Sequence, residues 1–255
     1  MKEIRPVENI LSSCLVCGSM PTIKSHLIPR AMAREVQVGK AHAVAFKPGK
    51  FSYTQSGLYE QNILCAACDN KLGLAEKLAI QTFRRIRKEA KALPVGEYLL
   101  SGIAGDSILR FICGVLWKYS VASKENGRIA LGRYQDILQK TAFTSIDVPS
   151  GVDAILCRLK RHKDDDEVFA YRAPSPDRKE GVNGYRLLVG GIFIFLKLDR
   201  QIPARGALAR ASIRNRPDLP YVVLHAEDFE EYKLPSKLIN NDGRLSSFLD
   251  KQEKQ

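Results

Sequence analysis

The sequence predicts an α+β fold, with a cysteine-bearing N-terminal unit, a helical middle and a mainly antiparallel C-terminal sheet. Two Cys-x-x-Cys pairs, CLVC and CAAC, lie within the first 70 residues. Apolar residues recur at helical spacing from residue 71 to residue 93. Segments rich in branched and aromatic side chains dominate from residue 145 to about residue 235, which favours strands. We therefore divide the chain into a cysteine-bearing domain at 1–95 and an α+β domain of unassigned role at 96–255.

Composition and charge narrow the function classes. The chain has 255 residues, of which 45% are hydrophobic and 27% charged, so it has enough apolar residues to bury a core and is not disordered as a whole. The net charge of +12 favours polyanionic partners, of which nucleic acid is the commonest, with an anionic membrane and plain solubility as the alternatives. The N-terminus MKEIRPVENILSSC lacks the apolar segment of a secretory signal. The run LLVGGIFIFLKL is too short for a membrane helix and contains a lysine. We expect a cytoplasmic protein with reduced thiols and no membrane partner.

The two cysteine pairs predict a structural zinc ion. They consist of Cys14, Cys17, Cys65 and Cys68. Each pair places two thiolates on a tight turn, and four thiolates complete a closed tetrahedron. A thiol redox pair and four unrelated core cysteines are the alternatives. Cys113, in an apolar helical segment, and Cys157, in a predicted strand, are interpreted as core residues.

Three helices are predicted in the middle of the chain. The first has an apolar stripe formed by Leu72, Ala75, Ala79, Phe83, Ile86, Ala90 and Leu93. We expect it to end before Pro94, because the residue before a proline disfavours the helical conformation. The second lies in GDSILRFICGVLWKYSVAS, with Asp106 or Ser107 as its cap, and the third in GRYQDILQKTAF.

The strand predictions follow the C-terminal sequence. VDAILCRLKR and EVFAYR flank HKDDD, which is typical of a hairpin tip and makes His162 a solvated residue. YRLLVGGIFIFLKLD predicts a buried strand pair, and PYVVLHA, which contains His225, predicts one more strand. His42 lies in an alternating segment and is interpreted as an ordinary half-buried histidine.

The N-terminal motifs together resemble a known family. A Cys-x-x-Cys pair, the HLIP of KSHLIPR and then NILCAACDNKLG are similar to the zinc-bearing branch of the HNH endonucleases of the ββα-metal class. The resemblance covers about residues 14 to 76. It implies a zinc-stapled ββα-metal, treble-clef-like unit that hydrolyses DNA phosphodiester bonds with a catalytic divalent cation, Mg or Mn. Defence against phage, a role common in this family, is a further expectation from the resemblance.

The resemblance also implies residue roles. His26 corresponds to the general base, and Pro29 fixes the following turn. Candidate ligands for the catalytic cation are Asp69, Glu60 and Asn62. This chain departs from the family at the residue before the base, where Ser25 replaces a metal-binding side chain. Two interpretations therefore stay open: an active nuclease, or a catalytically decayed zinc module that binds nucleic acid or a protein partner.

Basic residues after the motifs predict contact with nucleic acid, with DNA favoured. The predicted first helix carries Lys77, Arg84, Arg85, Arg87, Lys88 and Lys91. These residues suit phosphate contact, although a solvated face is the alternative. Arg30 and Arg34, just after the proline, are candidates to hold the scissile phosphate. Glu76 is interpreted as a residue that opens the helix and interacts with its dipole, with an outer-shell role near the metal as the alternative. A protein partner or a second copy of the chain is expected to use the C-terminal domain.

Overall fold

The computed structural model describes residues 12–37, 42–47, 50–54, 56–161, 171–203 and 205–233. Within these ranges the chain is a mixed α+β protein, which confirms the predicted class. It contains a six-stranded, mostly antiparallel sheet, two short antiparallel ribbons and a cysteine cluster near the N-terminus. His162, most of the EVFAYR segment and the polar C-terminal tail lie outside the described residues.

The N-terminal part forms the two ribbons. Its elements are β1 (Ser25–His26), α1 (Arg30–Arg34), β2 (His42–Lys47), β3 (Lys50–Thr54) and β4 (Tyr59–Glu60). β1 pairs antiparallel with β4, and β2 pairs antiparallel with β3. The β1–β4 ribbon places Ser25 opposite Glu60 and His26 opposite Tyr59. Paired residues of an antiparallel ladder share a face, so neighbouring residues along β1 are directed to opposite faces of the ribbon.

Three helices form the middle of the chain, as predicted. They are α2 (Ala66–Ala90), α3 (Gly105–Val121) and α4 (Tyr134–Phe143). The apolar stripe of α2 is buried at Leu72, Ala79, Phe83, Ile86 and Ala90. α2 packs closely on α3 at Gly114, where a Cβ atom would lie 2.9 Å from Leu72 Cδ2. Glycine therefore permits the close approach of the two helices.

The predicted cap of α3 is wrong. The N-cap residue is Ala104, and no side chain caps it. The first turn is instead bonded to a distant loop: Gly105 N donates to Arg216 O at 2.9 Å, and Asp106 Oδ1 accepts from Asn215 N at 2.8 Å. A tertiary contact has replaced the local cap that the sequence pattern indicates.

The six-stranded sheet follows the order β5-β10-β6-β9-β8-β7. Its strands are β5 (Gly96–Leu100), β6 (Val152–Lys160), β7 (Arg172–Lys179), β8 (Val182–Val189), β9 (Ile192–Leu198) and β10 (Leu219–His225). β6 and β10 are parallel, and every other neighbouring pair is antiparallel. The predicted buried strand pair is the β8–β9 hairpin, and its turn at Gly190 and Gly191 has φ angles of 58° and 73°. Positive φ at both central residues is what a tight two-residue hairpin requires.

The predicted hairpin around HKDDD falls mostly on residues 162–170, which lie outside the described residues, so this pairing stays a prediction. In the described part of the chain, β9 and β8 lie between β6 and β7 in the sheet. β6 pairs with β9 and β10. Strand alternation indicates which residues are buried, but it does not specify which strands become neighbours.

The larger core lies between the helices and one face of the sheet. It joins residues from the whole chain, among them Leu27, Phe83, Trp117, Leu156 and Ile194. A smaller core covers the other face of the sheet, beneath α5 (Ala207–Arg210) and the 3-10 turn Ala226–Asp228. Cys113 and Cys157 are buried in these cores, as expected. None of the described helices is both long and apolar enough to cross a membrane.

Candidate metal centre and catalytic site

The four cysteines of the two pairs come together at one point, as the sequence predicts. Their Sγ atoms all lie within 4.8 Å of one another, and Cys17 Sγ is 3.6 Å from Cys65 Sγ. Zinc–sulfur bonds of about 2.3 Å in a tetrahedron place neighbouring sulfur atoms about 3.8 Å apart. The cluster could therefore hold a structural metal ion, and its donors and spacing fit zinc.

Backbone hydrogen bonds shape the first cysteine turn. Gly18 N donates to Cys14 O at 2.8 Å, and Gly18 has a φ of 75° that a side chain would strain. Hydrogen bonds from the side chain and then the backbone of Ser19 lower the pKa of the exposed Cys17 thiol to about 6. The thiolate is the metal-binding form, so this turn favours the protonation state that zinc needs.

The second pair joins the cluster to the long helix. Cys65 is the N-cap residue of α2, and Asp69 N donates to Cys65 O at 3.0 Å. Cys68 lies in the first turn of the helix and is buried, and burial raises the pKa of its thiol. The start of α2 is therefore held beside the cysteine turn at residues 14–18.

His26 lies on strand β1 of the β1–β4 ribbon. Its Nε2 atom is buried and has no hydrogen-bond partner among the described residues. Desolvation by burial lowers the pKa of His26, and the positive charges of Lys118 and Arg30 lower it further. Asp69 and Glu76 oppose the effect without outweighing it. The imidazole is therefore neutral at physiological pH, the form in which one ring nitrogen accepts a proton.

Asp69 is tied to the residue that precedes His26. Ser25 Oγ donates to Asp69 Oδ1 at 2.6 Å, and the Ser25 side chain is fully buried. The structure thus brings together the two positions at which the resemblance expects metal ligands, although one of them is a serine. Within the described residues, the four cysteines form the only group of three or more His, Cys, Asp or Glu side chains close enough to hold one ion. A divalent ion at Asp69 would take most of its ligands from water, as magnesium commonly does.

The other two candidate ligands are held by the protein itself. Glu60 Oε1 accepts hydrogen bonds from Ser123 N at 2.7 Å, Ser123 Oγ at 2.6 Å and Asn126 Nδ2 at 2.7 Å. Burial alone would raise the pKa of Glu60, but these hydrogen bonds outweigh it and lower the pKa. Asn62 Oδ1 accepts from Ser12 Oγ at 2.7 Å. Their contacts explain both side chains structurally, and their metal-binding role stays a prediction.

Lys118 is a site residue that sequence reasoning missed. It is 1% exposed, and its Nζ donates to His26 O at 2.5 Å and to Glu76 Oε1 at 2.8 Å. A lysine inside the apolar segment FICGVLWKYS was the available signal, since lysine is rarely fully buried without a specific partner. The interpretation of Glu76 as a helix-opening residue is wrong. α2 begins at Ala66, and Glu76 lies inside the helix as the partner of Lys118.

The basic residues separate into exposed and buried groups. Arg30, Arg34, Lys77, Arg84, Arg85 and Lys88 are exposed. Arg84 pairs with Glu35 at 2.7 Å, and Arg85 pairs with Glu89 at 2.7 Å. In the described part of the chain, Lys77 and Lys88 have no acidic partner. These two lysines are therefore available to bind phosphate.

Arg87 does not belong to the exposed basic surface that the sequence suggests. Its side chain is 9% exposed. Arg87 Nη1 donates to Glu35 Oε2 at 2.9 Å and to Gly190 O at 2.6 Å. Arg87 therefore joins α2 to the region after α1 and to the β8–β9 turn.

No family model matches this chain, and no curated protein or solved structure matches it either.

Proposed function

We propose that this protein is a metal-dependent endonuclease that hydrolyses DNA phosphodiester bonds with His26 as the general base. The observation that carries the proposal is the buried, unpartnered Nε2 of a histidine whose pKa is lowered. Buried polar atoms in folded proteins nearly always have a partner, and an exception is often explained by a catalytic role or by a missing water or ion. His26 Nε2 is one of eight such atoms in the described residues, and it belongs to the histidine that the motif assigns as the base.

The surroundings of His26 supply the other requirements of the reaction. Phosphodiester hydrolysis needs a base that activates water and positive charge near the phosphate. A neutral His26 accepts the proton of the attacking water, and Arg30, exposed at the start of α1, binds the phosphate oxygens. Asp69 would hold Mg or Mn, which stabilises the negative charge of the transition state when it is bound.

The zinc cluster and the neighbouring elements support the family assignment. β1, β4 and α2 come in this order along the chain, with α1, β2 and β3 between β1 and β4, and the cysteine pairs lie at residues 14–17 and 65–68. This arrangement supports the ββα-metal, treble-clef-like unit that the resemblance implies, in which zinc would hold the ribbon against the helix. Exposed Lys77 and Lys88 on α2 extend the positive surface and bind the DNA backbone without reading its sequence. Reduced thiols and zinc binding are consistent with a cytoplasmic location.

A plasmid-nicking assay tests the proposal. Supercoiled plasmid is incubated with the protein and Mg or Mn, and wild type is compared with His26→Ala. Loss of a general base is expected to lower the rate by roughly a hundredfold to ten-thousandfold. His225→Ala is the matched control, because His225 ends strand β10 and lies outside the ribbon. All three proteins must carry the same amount of zinc.

The outcomes test the role of His26 and the nuclease activity separately. Nicking that survives in His26→Ala removes the mechanism. Wild-type protein that cleaves neither DNA nor RNA with either metal removes the nuclease function.

A second candidate function is a catalytically decayed zinc module that binds nucleic acid or a protein partner. Ser25 favours this candidate, because a serine stands where the family has a metal ligand. Its hydroxyl also donates a hydrogen bond to Asp69 Oδ1, so this oxygen is already engaged. The decayed module predicts binding of DNA in a gel-shift assay without cleavage. It also predicts that Ser25→Asp, which restores a carboxylate beside Asp69, gains metal-dependent nicking.

A further inference from the structure

We infer that three residues of the C-terminal domain, Lys118, Ser123 and Asn126, hold both strands of the β1–β4 ribbon and position His26 for catalysis. We name these three residues the α3 clamp, because they lie at the end of α3 and in the loop after it. The inference rests on the proposed nuclease function and assigns a role to part of the domain that the sequence leaves without one.

The first half of the clamp acts on β1. Lys118 Nζ donates to the backbone carbonyl of His26 at 2.5 Å, so it contacts the residue whose side chain is the proposed base. The ammonium also pairs with Glu76 of α2 at 2.8 Å. Removing a lysine from water costs free energy, which these two acceptors offset. The contact therefore joins α3, α2 and β1 at one buried point.

The second half of the clamp acts on β4. Ser123 donates to Glu60 through its backbone N–H and its hydroxyl, and Asn126 Nδ2 donates to the same carboxylate. Asn126 Nδ2 also lies 3.1 Å from Tyr59 O, the carbonyl of the residue opposite His26. The two halves use different side chains and different acceptors, yet both hold the same short ribbon.

The ribbon needs such support because it is short. β1 and β4 contain two residues each, and an isolated two-stranded pair is marginally stable in water. α3, in contrast, is buried along most of its length, and Trp117 beside Lys118 packs edge-to-face on Phe143 of α4. The clamp thus transfers the rigidity of the helical core to the ribbon. A misplacement of about 1 Å in a catalytic group costs up to about a hundredfold in rate.

A set of matched variants tests the clamp. Lys118→Met removes the contact with β1, and Asn126→Ala, at a partly exposed position, weakens the contact with β4 in case the first variant does not fold. Arg110→Met is the control, since Arg110 lies on the same helix and donates to the carbonyls of Thr141, Thr144 and Ile146 instead of the ribbon. The readouts are zinc content, kcat and KM for plasmid nicking, and hydrogen exchange of the Leu27 amide, which donates to Leu58 O directly beside the ribbon.

A positioning role predicts a specific pattern. Lys118→Met lowers kcat roughly tenfold to a hundredfold with KM little changed, keeps zinc and speeds exchange of the Leu27 amide. Asn126→Ala changes kcat and the exchange rate of the Leu27 amide in the same directions, but by less. Arg110→Met loses thermal stability but keeps kcat and the slow exchange of Leu27.

The results also separate this inference from the proposed function. If wild type nicks DNA, His26→Ala does not, and both clamp variants keep full kcat, the clamp is overturned and the nuclease stands. If wild type nicks nothing, the nuclease proposal fails, but the hydrogen-exchange rate of the Leu27 amide still tests the clamp. Exchange that is as slow in Lys118→Met and Asn126→Ala as in wild type overturns it.

Discussion

The four-cysteine cluster and the His26 site lie in the same N-terminal part of the chain, but they are assembled in different ways. The cluster draws its donors from two short segments, each of which carries two cysteines on one turn. The His26 site draws its groups from β1, β4, α2 and the distant α3. A site whose ligands are close in sequence can be recognised as a sequence motif. A site that includes residues of a distant helix can be recognised only in the folded structure.

The two sites also differ in charge. The cysteine cluster offers thiolates that a cation neutralises. Near His26, the buried ammonium of Lys118 and the guanidinium of Arg30 already supply positive charge. We therefore expect the first site to retain its zinc through purification, and the second to need added magnesium or manganese. Experiments can test this contrast between the four-cysteine site and the proposed, weakly ligated site at Asp69.

The largest effect is expected from loss of the cluster. Cys65→Ser removes one ligand and the N-cap residue of α2, so zinc content should fall and the protein should lose several kcal/mol of stability. Elemental analysis and thermal unfolding measure both. Cys157→Ala, in the smaller core, is the control that keeps zinc. A Cys65→Ser protein with a full equivalent of zinc would contradict a four-cysteine site.

A smaller effect is expected from breaking the buried ion pair of the second site. Glu76→Ala leaves the Lys118 ammonium uncompensated, and such a loss typically costs about 3–5 kcal/mol. Lys118→Met should cost less, because the remaining Glu76 side chain is 23% exposed and can be hydrated, whereas that of Lys118 is 2% exposed. Urea unfolding of both variants measures the difference. A larger loss of unfolding free energy in Lys118→Met than in Glu76→Ala would show that the unpaired Glu76 carboxylate is the more costly of the two groups to bury.

The same contrast explains how much could be predicted from the sequence. The cysteine set, the stripe of α2 and the β8–β9 hairpin depend on local spacing, and the structure confirms them. The sequence did not indicate that β6 pairs in parallel with β10, because β10 comes much later in the chain.

The errors around the site have a common cause. The α3 cap was wrong because a loop near Arg216 binds the first turn of the helix. Lys118 was missed because its partners lie on β1 and α2. In both cases the contacts join distant segments of the chain, and no periodicity or motif indicates such a contact.

The next effect concerns DNA binding by α2. Lys77→Ala combined with Lys88→Ala should lower the slope of log affinity against log salt concentration by about two, one for each lost phosphate contact. Fluorescence anisotropy with duplex DNA over a salt series measures this slope. Arg85→Ala should change it less, since Arg85 is already paired with Glu89 at 2.7 Å. An unchanged slope in the double variant would place the DNA on another surface.

The smallest effect concerns the protonation of His26. The pKa of His26 in the folded protein is lowered by burial and by Lys118 and Arg30, against Asp69 and Glu76, from an unfolded value of about 6.5. Between these two pKa values the unfolded chain binds a proton that the folded protein does not. His26 therefore costs no stability above the unfolded pKa, and stability is lost as the pH falls from there towards the folded pKa.

The unfolding free energy measured from neutral pH to acid, with zinc bound and no added magnesium, tests this effect. Wild type should lose more stability across the interval than His26→Ala, because the other titrating groups are common to both proteins and cancel in the comparison. The same lowered pKa predicts that nicking by wild type persists below the pH at which an ordinary histidine becomes protonated. If His26→Ala loses as much stability as wild type, the ring is not held neutral, and a water or a carboxylate must satisfy the Nε2 atom. That result would remove the main difference in charge between the two sites.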